Sequence, residues 1–453
     1  MATLNDQNLL SGSVPRQLLA FSVPFLAANV LQSVYSVVDM IIVGQFVGSA
    51  GLSGVSVGSQ ITSLFTSVGW GLTMGGQMML AQYKGAGDEK AQKESIGTML
   101  TFMFLLGICL TIPCLIFAKP LLGLLNTPQE SMKDAYWYFV ICSLGIVFVF
   151  GYNSVCSVLR GLGDSKRPMY FVAVASVTNI VLDLLFVAVF QWGAGGAAAA
   201  TILSQGISFI SALIYLYIHR DGFVFDFKPK SFQMVAQRLR TMLKVGIPFA
   251  LQFSMLMISM LFVVALINGY GVSASAGYGV GGKVDNFATL PVYAFASAAA
   301  TMAGQNIGAR QPERAKSVIH WCVLMNFICE IVIFVVVQVF AAQIISIFNS
   351  EPEVIAVGVK YLRFMAFGYL AHCALDGYQS MANAVGFSML AFISCTIDGL
   401  VVRIPLAILF GSVLNMGLDG VFLACVCAPF VAGLICTVYF YSGIWRKQSL
   451  VKE

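Results

Sequence analysis

The stretch YFVAVASVTNIVLDLLFVAVF, residues 170–190, decides how the rest of the sequence is interpreted. It is mostly apolar and long enough to cross a bilayer as a helix, for which about 20 residues suffice. Asn179 and Asp183 lie four residues apart within it, so a helix places both side chains on one face. An ionised side chain at the bilayer centre costs at least about 2.5 kcal/mol. The face that carries Asp183 must therefore contact protein or a water-filled cavity.

The whole chain shares this apolar composition. Of its 453 residues, 58% are hydrophobic and 10% are charged, and the mean hydropathy is +0.86. A soluble domain usually carries about 25% charged residues. Because open sheet edges and irregular backbone cannot face lipid, the spanning segments must be helices. The predicted fold class is an all-α, polytopic membrane protein, and the net charge of +5 does not indicate a nucleic-acid partner.

Twelve transmembrane spans can be drawn along the chain. They lie near residues 15–43, 52–82, 96–118, 135–159, 168–190, 196–218, 242–268, 273–303, 317–347, 355–381, 388–411 and 418–444. With these spans, 19 of the 25 Lys and Arg residues fall on one side of the membrane. Cytoplasmic loops carry such an excess, so both termini are predicted to be cytoplasmic. The amino terminus lacks the basic leader and cleavage site of a signal peptide and is expected to stay as a short lead-in.

The two halves of the chain resemble each other. A polar connection at 219–241 separates a predicted amino-terminal six-helix bundle, 1–218, from a carboxy-terminal one, 242–453. SVPFLAANV (22–30) aligns with GIPFALQFS (246–254), which places Pro24 opposite Pro248. An even number of spans per half predicts a parallel repeat, and transporters built this way bind substrate near the bilayer midplane.

Several motifs together resemble the multidrug and toxin extrusion (MATE) family. Besides the paired prolines, they are AQYKGAGDEKAQKESI (81–96) with GQNIGARQPERAKSVI (304–319), LRGLGDSKRP (159–168), NIVLDLLF (179–186) and VVRIPLA (401–407). The resemblance covers nearly the whole chain. It implies twelve helices in two six-helix bundles that face each other as a V, and export of organic compounds in exchange for H⁺ or Na⁺.

The resemblance also implies a cation site. Asp39, Asn179, Asp183 and Thr201 match the positions that form it in the amino-terminal bundle, particularly in the DinF-like branch. Two neighbouring carboxylates share a proton or a cation rather than both carry bare charge. The alternative is that each aspartate only hydrogen-bonds a neighbouring helix.

Pro24 and four polar or flexible residues are further candidates. Proline removes a helix hydrogen bond, so Pro24 is a candidate gating residue whose span bends with ion occupancy; a fixed kink is the alternative. Gln32, Tyr35, Asn153 and Met255 are predicted to line the substrate cavity, although ordinary helix packing would also explain them.

The carboxy-terminal half supplies secondary charge candidates. Asp376 resembles an acid used for cation binding in the NorM-like branch, but Leu256 stands where that branch has a glutamate. For Lys283 and Asp285, neutralisation across helices explains the charges as well as a transport role does. Arg403, beside Pro405, is expected to be a structural or interhelical partner.

These observations predict a secondary active multidrug efflux antiporter in the plasma membrane. It would export amphipathic, often cationic compounds, bind H⁺ or Na⁺ as its coupling ion, need no cofactor, metal or nucleic acid, and act as a monomer. A flippase for lipid-linked precursors would need a strongly basic cavity. An enzyme would need a catalytic cluster or metal motif, which the sequence lacks. A channel is less compatible with a two-fold repeat that carries buried acids.

Overall fold

Helices are the only regular secondary structure in the described part of the chain. The computed structural model describes residues 8–125, 127–220 and 224–451, and it has no strand among them. Residues 221–223 of the predicted linker and the outermost residues of both predicted cytoplasmic termini lie outside these ranges. The predicted all-α class is confirmed.

The helices follow one another with short connections. Their bounds are α1 Val14–Phe46, α2 Gly48–Gly85, α3 Glu89–Ile116, α4 Ala118–Leu124, α5 Gln129–Leu144, α6 Ile146–Gly161, α7 Lys166–Asp183, α8 Gly193–Ile218, α9 Ala236–Asn268, α10 Val272–Gly308, α11 Pro312–Ser346, α12 Pro352–Ala384, α13 Ser388–Thr396, α14 Ile404–Ile408 and α15 Leu418–Ser442. Three π-helical segments extend or join them, at Leu184–Val189, Ile397–Arg403 and Leu409–Val413. Short 3₁₀ turns lie at Pro229–Phe232 and Ile444–Lys447.

Fewer than twelve helices are apolar enough to count as spans on their own. Ten described helices are long and apolar enough to cross a membrane, and α5 with α6, bent by 49°, makes an eleventh if the two are one span. The remaining predicted span, 52–82, lies in α2. That helix has 38 residues, but Gly and Ser occupy many of them, so its apolar character is weaker. By length and hydropathy, ten or eleven of the twelve predicted spans are found among the described helices.

The backbone repeats itself in the two halves. Positive φ angles recur in pairs whose members are 223 or 224 positions apart: Gly48 and Gly271, Gly87 and Arg310, Gly163 and Gly386, Gln191 and Asn415, Gly193 and Gly417. Residues other than Gly rarely adopt such backbone angles. Five matching pairs therefore indicate that the two halves share one backbone path, as an internal repeat predicts. The π-helical segments at Leu184–Val189 and Leu409–Val413 also correspond.

The chain divides into two compact units whose bounds differ from those of the predicted bundles. Unit one is built mainly from Ala27–Ala250, and unit two from Leu9–Leu26 together with the described residues from Leu251 onward. The first part of α1 thus packs within unit two, and the first part of α9 within unit one. In unit one, α2 approaches α9 so closely that a Cβ at Gly75 would lie 2.6 Å from the backbone nitrogen of Gly246. The bounds of the units differ from those of the predicted bundles because the first parts of α1 and α9 pack against helices of the other half of the sequence.

The connection before α9 packs against α3 in unit one. Phe225 is fully buried there, and Lys93 donates to Asp226 at 2.5 Å. This hydrogen bond holds the pKa of Asp226 well below its usual value, so the ion pair is present above the ordinary carboxyl pKa and is lost as the pH falls. Arg238 also pairs with Glu94 at 3.1 Å. The described part of the linker is thus a docked segment of unit one.

Candidate functional site

The two acids of unit one come from α1 and α7. Asp39 lies in the second half of α1, and Asp183 is the last residue of α7 before the π-helical segment Leu184–Val189. A π-helical turn in a longer helix frequently marks a functional site, because the wider turn redirects side chains. Asn179 lies one turn before Asp183 on the same face, as the sequence predicts.

The acids meet without any described cationic partner. Asp183 is 0% exposed and Asn179 is 1% exposed. The side chains of Asp39 and Asp183 lie within hydrogen-bonding reach of each other. Both oxygens of Asp183, both amide atoms of Asn179 and Oδ1 of Asp39 have no hydrogen-bond partner among the described residues. Ionised carboxylates only accept hydrogen bonds, so this contact is favourable only when one of them carries a proton or a cation lies between them.

Tyr35 and Gln205 extend the polar group. Tyr35 lies one turn before Asp39 on α1, and its hydroxyl is within hydrogen-bonding reach of Gln32 and Gln205. Its electrostatic interactions include both Asp39 and Asp183. Gln205 comes from α8, so three helices contribute to the group. Gln205 is not among the residues predicted from the sequence, although its spacing of four residues from Thr201 on α8 is a usable signal.

The other predicted site residues of unit one stay predictions. Thr201 is half-buried on α8 and Asn153 half-buried on α6, and no described contact brings either side chain to the acids. Met255 belongs to unit two, where its carbonyl oxygen lies near Gly399. Of the predicted cavity residues, Gln32 and Tyr35 are therefore the ones that lie with the acids.

Pro24 is buried inside α1, where the helix passes from unit two to unit one. The helix continues through the proline from Val14 to Phe46, and the two units divide it between Leu26 and Ala27. Before the proline, the chain is held in unit two because Arg314 donates to the Gly12 carbonyl at 2.8 Å and to Gln17 Oε1 at 2.6 Å. The missing backbone N–H of Pro24 weakens α1 close to this division.

Arg403 and Asp398 form a buried ion pair in unit two. Their side chains are 4% and 6% exposed, and Arg403 Nη2 donates to Asp398 Oδ2 at 2.6 Å. They lie five residues apart in the π-helical segment Ile397–Arg403, whose wider turn brings such positions onto one face. Arg403 is thus paired with an acid on its own helix, and the interhelical role expected for it stays a prediction.

The repeat does not copy the acid pair into unit two. Asn179 corresponds to Arg403, while Asp39 and Asp183 correspond to Val263 and Ala407, each 1% exposed. The three positions that correspond to the site therefore carry one guanidinium and two apolar side chains. These groups cannot bind a cation as two carboxylates do. The equivalent region of unit two is therefore chemically different.

The remaining secondary candidates are Asp376, Lys283 and Asp285. Asp376 lies 3.3 Å from His372 Nδ1 on the same face of α12. Lys283 is exposed, whereas Asp285 on the same helix interacts with Tyr369 and His372. The predicted neutralisation of Lys283 and Asp285 across helices stays a prediction.

Known proteins resemble this chain along its whole length. The family model described as MatE matches residues 24–185 and 245–409. The "Probable multidrug resistance protein YpnP" of Bacillus subtilis (strain 168) is 34% identical over 448 residues, which is 98% of each chain. The "Probable multidrug resistance protein YoeA" of the same organism is 29% identical over 445 residues, 97% of this chain and 96% of the relative. A structure described as "Crystal structure of MATE in the straight conformation" has the same fold, with a TM-score of 0.91, 23% identity and 98% of both chains covered.

Removal of one partner of the buried ion pair should destabilise unit two. Asp398→Ala leaves the Arg403 guanidinium buried without its anion, which typically costs about 3–5 kcal/mol in the free energy of unfolding. We expect a clearly lower Tm in detergent for this variant. The double variant Asp398→Ala/Arg403→Met should recover most of the loss, since it removes both charges. A single variant that melts with the wild type would show that the pair is not formed.

Proposed function

The chain belongs to the MatE family, whose members are ion-coupled transporters and not enzymes, and we propose that it is a secondary active multidrug efflux antiporter. It exports amphipathic, often cationic compounds in exchange for H⁺. The observation that carries this proposal is the contact of Asp39 with Asp183 in the interior of unit one, beside Asn179, with no described base to neutralise it. Such a pair needs a small cation, and it can give that cation up when the surroundings change.

Exchange requires that the cation and the drug favour different conformations. A ligand moves a conformational equilibrium only through its differential affinity for the two states. When the acid pair holds a proton it carries at most one negative charge, and when it loses the proton both carboxylates repel each other. An approaching cationic drug is stabilised by the deprotonated pair and disfavoured by the neutralised one. Tyr35 and Gln32, on the same helix as Asp39, are suited to contact that drug.

The contact between the acids favours H⁺ over Na⁺ as the coupling ion. Two carboxylates within hydrogen-bonding reach of each other are the arrangement that a shared proton stabilises. Na⁺, as a hard cation, would need several oxygen ligands around it. The Asn179 amide oxygen and the Thr201 hydroxyl are the residues that could add to the two carboxylates, so Na⁺ is the second candidate.

Pro24 is proposed as the gating residue. The part of α1 before the proline is hydrogen-bonded within unit two, and the part after it carries Tyr35 and Asp39 in unit one. A change in the charge of Asp39 therefore acts on a helix that is weakened close to its division between the units. Bending of α1 at Pro24 would change the position of Tyr35 along with that of Asp39.

We also propose that the protein belongs to the DinF-like branch of the family, that both termini are cytoplasmic and that it acts as a monomer. The acids of unit one and Leu256 in place of a glutamate support the DinF-like branch. The bias of Lys and Arg supports cytoplasmic termini of a multi-pass plasma-membrane protein. Both halves of the transporter lie in one polypeptide, which supports a monomer. A lipid-precursor flippase is less well supported, because the buried base Arg403 is already paired with Asp398.

Neutralisation of both acids should abolish coupled transport. In proteoliposomes with an imposed pH gradient, the Asp39→Asn/Asp183→Asn variant should lose uptake of a lipophilic cationic dye by about tenfold or more, in the range of typical coupling free energies. Glu130→Gln, an exposed acid in the first turn of α5, is the matched control and should transport as the wild type does. Transport driven equally well by the doubly neutralised protein would refute the proposal. A response to a Na⁺ gradient and not to a pH gradient would select Na⁺.

Removal of the proline should slow the transporter without removing its binding site. Pro24→Ala restores the helix hydrogen bond of α1 and should lower the rate of dye transport, while the Kd for the dye in detergent stays near the wild-type value. Pro113→Ala, which changes the proline inside α3, is the control and should leave the rate unchanged. A Pro24→Ala protein with the wild-type rate would exclude a gating role.

A further inference from the structure

Unit two contains a second buried pair of an asparagine and an acid. Asn326 and Glu330 lie four residues apart on α11, and each is 0% exposed. This is the spacing of Asn179 and Asp183 in unit one. The repeat aligns the new pair with apolar residues near 102 and 106 of α3, so it is not a copy of the first site.

The polar atoms of this second pair lack partners. Both carboxylate oxygens of Glu330 and Oδ1 of Asn326 have no hydrogen bond within the ranges that the structure describes. The Asn326 amide donates only a long contact, 3.8 Å to the sulfur of Cys322. An ionised carboxylate without a donor is strongly disfavoured in such surroundings, whereas a protonated one is neutral.

One base lies among the groups that act on Glu330. Helix α11 packs against α10 and α12. The titratable groups that interact electrostatically with Glu330 come from α10, α11 and α12. They are Asp285, Cys329, Tyr369, His372, Cys373 and Asp376.

The side chains of the histidine and its acid are less completely buried than that of Glu330. His372 Nδ1 is 3.3 Å from Asp376 Oδ2, and their side chains are 28% and 22% exposed. A histidine changes its charge between about pH 5 and 8 in ordinary surroundings, which suits it to pass protons between water and a buried group. The pair therefore offers a route to the fully buried carboxyl.

We propose that Glu330 is a second proton-binding site, which is loaded through the His372–Asp376 pair and acts independently of Asp39 and Asp183. In the loading step, the N–H bond of a protonated His372 ring breaks and an O–H bond forms on Glu330, so that both side chains become neutral. The reverse step returns the proton.

Infrared spectroscopy of the purified full-length protein tests this site directly. The Asp39→Asn/Asp183→Asn variant serves as the background, so that the first site contributes nothing and a failure of the proposed function does not affect the result. A pH titration of this background protein should reveal the band of an un-ionised carboxylic acid. The band should be absent when the background protein also carries Glu330→Gln. Glu313→Gln, on the same helix but 70% exposed and paired with Arg446, should leave the band intact.

Two further variants extend the test. Glu330→Asp replaces Glu330→Gln if that protein is unstable, and His372→Gln tests the loading route. Glu330→Asp keeps an acid in a different position and should shift the frequency of the band. His372→Gln should shift the pH at which the band titrates. Absence of the band at every pH, or a band that survives both changes of Glu330, would overturn the second site. An unchanged titration in His372→Gln would overturn loading through histidine.

Discussion

A carboxyl group inside a bundle of lipid-spanning helices must be neutralised, and the rest of this structure depends on how that is done. An unpaired charge costs free energy there, while a proton, a small cation or a basic side chain removes the cost. In unit one the acids contact each other and no described base does so, which leaves an exchangeable cation as the remedy. In unit two Asp398 is neutralised permanently by Arg403. The same constraint is thus met by a fixed base at Asp398 and, as proposed, by an exchangeable cation at Asp39 and Asp183.

The repeat explains why this difference is possible. Both halves follow the same backbone path, down to matching positive φ angles and π-helical turns. The side chains on that shared path have diverged, since Asn179 corresponds to Arg403, and Asp183 to Ala407. Unit two has its own buried acid in Glu330, on a helix where unit one is apolar. Two similar scaffolds therefore present different chemistry, as an exchanger that binds unlike ligands requires.

Much of the fold was predictable because hydropathy and loop charge act over whole helices. The asparagine and aspartate of α7 were predictable as a pair because a helix places residues four apart on one face. The pairing of Asp398 with Arg403 was not predictable. Residues five apart share a face in a π-helix and not in the α-helix that the sequence predicts. The bounds of the two units were not predictable either, because the contacts of α1 and α9 change unit partway along each helix. Asn326 and Glu330 carry the same signal as Asn179 and Asp183, yet a polar pair in the sequence does not reveal whether its atoms find partners.

In the proposed exchange, the pair of Asp39 and Asp183 holds a proton which the drug displaces. The most direct measurement is proton release when a lipophilic cationic dye is added to the purified protein in weakly buffered detergent. Glu330→Gln protein is used, so that unit two cannot contribute through that residue. Protons should be released in proportion to bound dye. None should be released when Asp39 and Asp183 are both changed to Asn, at a dye concentration raised until this variant binds as much dye. Equal release from both proteins would show that the acid pair is not the source of the displaced proton.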